Sequence, residues 1–275
     1  MVDTVNTRPY THPTISEWWV RRLLRRDRPV RPFWAAPKHI GLFGTPLVGR
    51  EEEMERHFDE ELKDLHKDLL KMGVMVQEAI YKSIEALKNR DKAQAQEVIS
   101  NDDKIDDIEL IIDEKCIDLI ARHQPMAGDL RFLTTSMKIN ADLERIADLS
   151  VDIAERALEL VDKPILKPLI DIPKLSTIAQ NMIKDAIDSF VKKDVELAKR
   201  VVLSDEAADN LRNLVQEELI NDYMAKDPAA APRAVPLLLI ARYLERICDH
   251  TTNIAEDVIY MVEGKVVKHH PEELK

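Results

Sequence analysis

At 275 residues the chain is long enough to bury a sizeable core in one large or two modest domains. Only six glycines and 5% aromatics, beside abundant Leu, Ile, Ala, Glu, Asp and Lys, favour an all-helical fold over a sheet-rich one. The net charge of −11 argues against nucleic acid as the main partner, because phosphates repel an acidic body, and it suits cations.

That charge is unevenly spread. Residues 1–50 hold nine Lys/Arg and three Asp/Glu, a local +6, so the remaining 225 residues carry −17. The same stretch holds all three tryptophans (Trp18, Trp19, Trp34) and six of the fourteen prolines. Residues 1–54 therefore read as a basic, Pro/Trp-rich extension. Its Arg21–Arg28 segment suits peripheral contact with an anionic membrane surface; the plainer alternative is a flexible extension or a misassigned start. No apolar run approaches the ~18 residues of a membrane span, and no apolar leader is evident, so neither a span nor a secretory signal is expected. Cys116 and Cys248 lack CxxC spacing and are expected to be reduced, cytosolic thiols.

Helical periodicity begins near residue 55. Leu65, Leu69, Met72, Val76, Ile80, Ile84 and Leu87 recur every three or four positions as one apolar stripe. Asn89-Arg90-Asp91 interrupts it. A second helix is predicted over 92–122, with Ile105, Ile108, Ile112, Cys116 and Leu119 inward. Pro125 turns the chain, and a third helix is predicted over 127–162, with Leu143, Ile146, Ile153, Ala157 and Leu160 inward. These make a first three-helix bundle, 55–162. Residues 163–173 carry three prolines and read as a stiff linker. A second bundle over 174–263 follows, with helices near 174–192, 194–226 and 231–263, and then a tail, 264–275. Long helices joined by short turns must lie antiparallel to bury their stripes. The fold class is all-α, two tandem antiparallel three-helix bundles.

The two bundles repeat one another. Residues 84–157 align with 187–258: Asp91 falls on Asp194, Asp102 on Asp205, Asp106 on Asp209 and Pro125 on Pro228. After a two-residue deletion, Glu144-Arg-Ile-Ala-Asp148 falls on Glu245-Arg-Ile-Cys-Asp249.

The repeated positions are rich in carboxylates. At about 100° per residue, Asp148, Asp152 and Glu155 lie within about 80° of Glu144 on one helix face. On the preceding helix Asp102, Asp106, Glu109 and Asp113 share a face beside the apolar stripe. A hairpin centred on Pro125 sets Asp102 level with Asp148 and Asp106 level with Glu144; one centred on Pro228 sets Asp205 level with Asp249 and Asp209 level with Glu245. Stacked acid columns repel unless cations neutralise them. Carboxylate oxygens are hard ligands for Mg²⁺, Ca²⁺, Mn²⁺ or iron; with no histidine in the set, zinc is less favoured. Candidate ligands are Asp102, Asp106, Glu109, Glu144, Asp148, Asp152 and Glu155 in the first half, and Asp205, Asp209, Glu245, Asp249 and Glu256 in the second. The second set is expected to be weaker, because Arg212 replaces Glu109, Gln216 replaces Asp113 and Asn253 replaces Asp152. The alternative is a solvated acidic face without metal. Arg145 and Arg246 read as structural partners of the neighbouring acids, and His250, opposite Leu149 in the alignment, as incidental.

Enzyme signatures are missing. No histidine has Glu three positions before it, as a ferritin-like di-iron site requires, and no GxxxxGK[ST], GxGxxG or GxSxG occurs. A non-catalytic protein is expected; a metal-dependent phosphohydrolase or a purely structural helical scaffold are the competing readings.

The tandem halves resemble the PhoU family of bacterial and archaeal phosphate-uptake regulators. The resemblance rests on Ala121-Arg-His-Gln-Pro-Met-Ala-Gly-Asp-Leu-Arg131, Asp142-Leu-Glu-Arg-Ile-Ala-Asp148, Arg242-Tyr-Leu-Glu-Arg-Ile-Cys-Asp249 and Asn253-Ile-Ala-Glu-Asp257, and covers about residues 57–270. It implies a cytoplasmic regulator linking a phosphate ABC transporter ATPase to a sensor histidine kinase. It also implies a homodimer and (E/D)xxxD motifs that hold metal clusters, often iron. Those motifs fall on Asp102/Asp106, Glu144/Asp148, Asp205/Asp209 and Glu245/Asp249.

Overall fold

The structure is a computed structural model that describes residues 47–267, with side chains from residue 57 onward. The basic arm and the last eight residues lie outside the described residues. Six long helices follow one another: α1 (Leu47–Asn89), α2 (Lys92–His123), α3 (Ala127–Val161), α4 (Asp171–Lys192), α5 (Val195–Glu218) and α6 (Ala231–Glu263). A π-helical turn, Leu219–Met224, and a 3₁₀ turn, Pro228–Ala230, join α5 to α6. No strand occurs among the described residues. No described helix is long and apolar enough to cross a membrane.

The apolar stripes become the core. All seven positions from Leu65 to Leu87 on α1 are buried, as are Ile105 to Leu119 on α2 and Leu143, Ile146, Ile153 and Ala157 on α3. A single apolar cluster contains residues of all six helices, among them Ile80, Ile112, Ile146, Ile183, Val215 and Ile247. Each half is a three-helix antiparallel arrangement, but the halves share one core. α3 lies against both α2 and α6. The rings of Phe132 and Phe190 stack at 5.6 Å, with His66 beside Phe190 at 4.8 Å. A Cβ at Gly73 on α1 would lie 2.3 Å from Ile187 Cδ1 on α4, so the first helix of each half meets the other at close range. Both thiols are buried and free, and burial pushes that of Cys116 up to about 12.

The two corners that open α2 and α5 are built alike. Arg90 and Lys193 take positive φ (56° and 53°), and the next residue caps the following helix. Asp91 accepts from the Ala93 and Gln94 amides, and Asp194 from that of Leu197. The repeated aspartates 91 and 194 are thus helix caps.

Three boundaries differ from the sequence reading, one being α5, whose α-helical part ends at Glu218 and gives way to the π-helical turn, not running to 226. α1 begins at Leu47, not near 55, because Glu51–Arg56 are strong helix formers even without an apolar stripe to announce them. α4 begins at Asp171, not 174, so Asp171-Ile-Pro173 is helix rather than linker. Proline is tolerated in a first turn, where the amide has no intrahelical partner to lose. The remaining linker is pinned to the body: Arg90 donates to the carbonyls of Leu160, Val161 and Lys163, Lys163 Nζ donates to Pro232 O at 2.9 Å, and the buried Lys167 pairs with Glu218.

Candidate metal centre

The helices that build the first acid cluster are α2 and α3. Ile105, Ile108 and Ile112 turn one face of α2 into the core, which leaves Asp102, Asp106 and Glu109 half-buried at its flank, while Asp103 and Asp107 point to solvent. Leu143, Ile146 and Ala147 do the same for α3, leaving Glu144 and Asp148 half-buried. The hairpin register then brings the columns together. Burial, with Asp106 and Asp148 nearby, pushes the Asp102 carboxyl up to about 7. Burial and Asp148 push Glu144 up to about 7 as well, against the pull of Arg145 and with Glu109 and Asp106 adding to the rise. Asp106 and Glu109 are raised for the same reason, burial first and neighbouring carboxylates second. The pairs set level by the sequence, Asp102 with Asp148 and Asp106 with Glu144, do act on one another.

Cations contribute little inside this cluster. Arg145 lies on its outer rim, more than half exposed, 3.3 Å from Asp148 Oδ2 and 3.5 Å from Glu144 Oε2. Beyond burial, the charges that act on Asp102 and Asp106 are all anions. Asp152 and Glu155 lie further along α3: Glu155 is held by Arg156 at 3.1 Å, and Asp152 stands between Glu155, Arg156 and Arg246 of the other half and is still raised by Asp148. Their placement on the same helix face does not bring Glu155 to Glu144, because the two are eleven positions apart, about 16 Å along the axis.

Two groups that the ligand set omitted belong to the site. Asp113 sits one turn beyond Glu109 and raises it. Asn140, fully buried on α3, donates its amide to Glu109 O at 2.9 Å and to Asp113 Oδ1 at 3.0 Å, while its own Oδ1 has no donor. Asn140 was readable as a polar residue on the buried face of α3, opposite Ala241 in the repeat, but its partners were not.

The second cluster is differently balanced. Burial and the anions of Asp249, Asp209 and Glu245 push Asp205 up to about 6. Arg212, in the place of Glu109, reaches from α5 across to Glu245 Oε1 on α6 at 3.0 Å and stands 3.5 Å from Asp209 Oδ1. It also lowers Asp249, whose net shift is still upward through burial, Glu245 and Asp209. Glu256 is half-buried on α6, two turns beyond Asp249. Beside this cluster opens a cavity of about 200 Å³, lined by Arg212, Gln216, Leu238, Ala241, Arg242 and Glu245. A larger, mainly apolar cavity of about 350 Å³ lies at the linker, between Leu87, Leu160, Ile165 and Leu237, away from either acid cluster. His250 is not incidental: its Nδ1 lies 2.9 Å from Asp142 Oδ1 on α3, a contact between the halves.

The donor set of the first cluster fits a hard cation: half-buried carboxylates that repel one another, and an amide oxygen without a donor. Among the described residues, however, no three His, Cys, Asp or Glu side chains surround a single point as they stand. A cation would have to draw them in.

The profile of the PhoU domain matches residues 69–157 and, a second time, 172–258, one match for each half. The phosphate-specific transport system accessory protein PhoU homolog of Aquifex aeolicus is 43% identical over 209 residues, 76% of this chain and 94% of that one. The chain belongs to the PhoU family. The homolog of the same description from Pseudomonas aeruginosa is 36% identical over 217 residues, 78% of this chain and 89% of its own. The crystal structure of PhoU from Pseudomonas aeruginosa superimposes with a TM-score of 0.73 at 37% identity, covering 76% of this chain and all of that one. The phosphate transport system regulatory protein PhoU from Streptococcus pneumoniae superimposes at 0.72 with 29% identity, covering 77% and 99%. Two PhoU repeats account for the duplicated helices and the paired Glu-Arg-Ile-x-Asp stretches.

Proposed function

We propose that this chain is a cytoplasmic, metal-binding, non-enzymatic regulator of phosphate uptake. It acts as an adaptor between the ATPase of a phosphate ABC transporter and a sensor histidine kinase, and restrains both when phosphate is plentiful. Relatives described as accessory or regulatory proteins of phosphate transport support the regulatory role. The observation that carries the metal is the meeting of half-buried α2 and α3 carboxylates, with Arg145 beside Glu144 and Asp148 only at the rim. Asp102, Asp106, Glu109, Glu144 and Asp148 hold the ion or ions, iron first, with Mn, Mg, Ca or Zn as alternatives. Asp152 and Glu155 are peripheral to it. When bound, the metal supplies positive charge that cancels the repulsion and braces the hairpin. Asp205, Asp209, Glu245, Asp249 and Glu256 make at most a weaker site, since Arg212 already supplies charge there. The protein works as a homodimer that presents its long helices to its partners.

Metal analysis of protein purified from its native host tests this. The wild type is expected to carry a transition metal, and E144A/D148A to lose most of it while keeping its helical circular dichroism. Equal trace metal in both removes the metal. Failure of the transporter ATPase to co-purify with tagged wild type removes the adaptor role.

A further inference from the structure

The two halves carry the same helices, so a patch on which they disagree is informative. Where α2 and α3 present Glu109, Asp113 and Glu144, α5 and α6 present Arg212, Gln216 and Glu245. Ala141 becomes Arg242 and Asn140 becomes Ala241. Three acids and no base turn into two bases and one acid, so the formal charge of the patch goes from −3 to +1. Asn140 is fully buried in the first half, and Ala241, in its place in the second, lines the cavity of about 200 Å³.

The groups around that cavity are arranged unequally. Arg212 is fixed by Glu245 at 3.0 Å and by Asn213 at 2.6 Å, with Asp209 at 3.5 Å on its other side, and its buried Nε–H has no acceptor. Arg242 is exposed at the mouth and makes no ion pair or hydrogen bond among the described residues. Gln216 adds a carboxamide. Guanidinium groups are the protein's preferred partners for oxyanions, and one fixed and one free arginine make a site that can close on its ligand. Glu245 also lines the cavity. A carboxylate repels a fully ionised oxyanion, but it accepts a hydrogen bond from one that keeps a proton.

We propose that this cavity binds hydrogen phosphate, with Arg212, Arg242 and Gln216 donating to its oxygens and Glu245 accepting from its P–OH. Sulfate, which carries no proton at neutral pH, meets the same donors and an unanswered carboxylate. The small volume suits the free anion. This deepens the reading of the chain as a phosphate-linked regulator, while it requires neither the first-half metal nor the transporter.

The test is calorimetric titration of the full chain, stripped of metal with chelator, at neutral pH and with inorganic phosphate as the probe. One site is expected, with sulfate at least about tenfold weaker and ATP no tighter than free phosphate. Two variants import what the first half carries at these positions. R242A removes the mobile guanidinium and A241N fills the cavity, and each is expected to weaken phosphate by about tenfold or more with the melting temperature little changed. R242A alters an exposed side chain, so it remains informative if A241N folds poorly. The site is overturned by any of four results: no binding to wild type, equal binding of sulfate, tighter binding of ATP than of phosphate, or full affinity retained in R242A. Phosphate bound only by metal-loaded protein would place it on the metal and also overturn it. Phosphate binding as described, in a protein that never engages the transporter ATPase, would keep this site and discard the regulatory role.

Discussion

Asp102 and Glu144 are pushed up to about 7 because each is half-buried and faces other carboxylates. Folded, each keeps its proton to higher pH than unfolded, where release comes near pH 4. Between about pH 4 and 7 the folded state therefore binds more protons, and stability falls as pH rises through that window. In metal-free protein D102N and E144Q are expected to raise stability at pH 8 by on the order of 1–2 kcal/mol, and much less at pH 5. Denaturant melts at the two pH values measure this; equal effects at both would show that the carboxylates do not repel. The carboxylates of the first cluster were legible one by one, since spacing of three and four places them on one face. Arg212 was legible as a lost ligand. That its guanidinium spans α5 and α6 was not, because a long side chain's reach depends on what stands opposite.

At the level of elements, the corners decide how the helices start and stop. Arg90 takes a left-handed conformation, leaves Asp91 free to cap α2, and sends its side chain to the carbonyls at the end of α3. Leu160 O already accepts from the Lys163 amide at 3.1 Å, and Arg90 adds a side-chain cap to the last carbonyls of the helix. R90A is expected to cost about 1–2 kcal/mol, a loss of some 2–4 °C in melting temperature for a protein of this size. R90K, which keeps the charge but lacks the fork of donors, should recover only part. Gly73 matters differently. Alanine there gains up to about 1 kcal/mol of helix propensity. Its Cβ must still displace Ile187 Cδ1, so G73A should fall within about 1 kcal/mol of wild type, whereas G73L should be clearly destabilised. Chemical denaturation of the four variants separates these effects. Stripe periodicity made the first three helices legible, and the repeat supplied the other three. Periodicity missed the start of α1, where the helix runs without an apolar face, and the start of α4, where proline resembles a linker.

Across the molecule, one apolar cluster runs through both halves, and polar contacts cross between them: Lys138 to Asp257 at 3.0 Å and His250 to Asp142 at 2.9 Å. The halves are expected to unfold together. A calorimetric scan should show a single transition for the helical body, with agreement between calorimetric and van't Hoff enthalpies; two resolved transitions would mean that the halves are independent. Helices, their buried faces, the duplication and the acid columns follow from the chain alone, because helical periodicity and capping depend on residues within about four positions of each other. Only the tertiary structure decided that Arg212 closes the second cluster, that Asn140 bonds to Glu109 and Asp113 while Ala241 lines a cavity, and that His250 finds Asp142 on the opposite half. Those distances depend on how two hairpins settle on a shared core, and no local rule in the sequence sets the spacing between helices more than 100 residues apart.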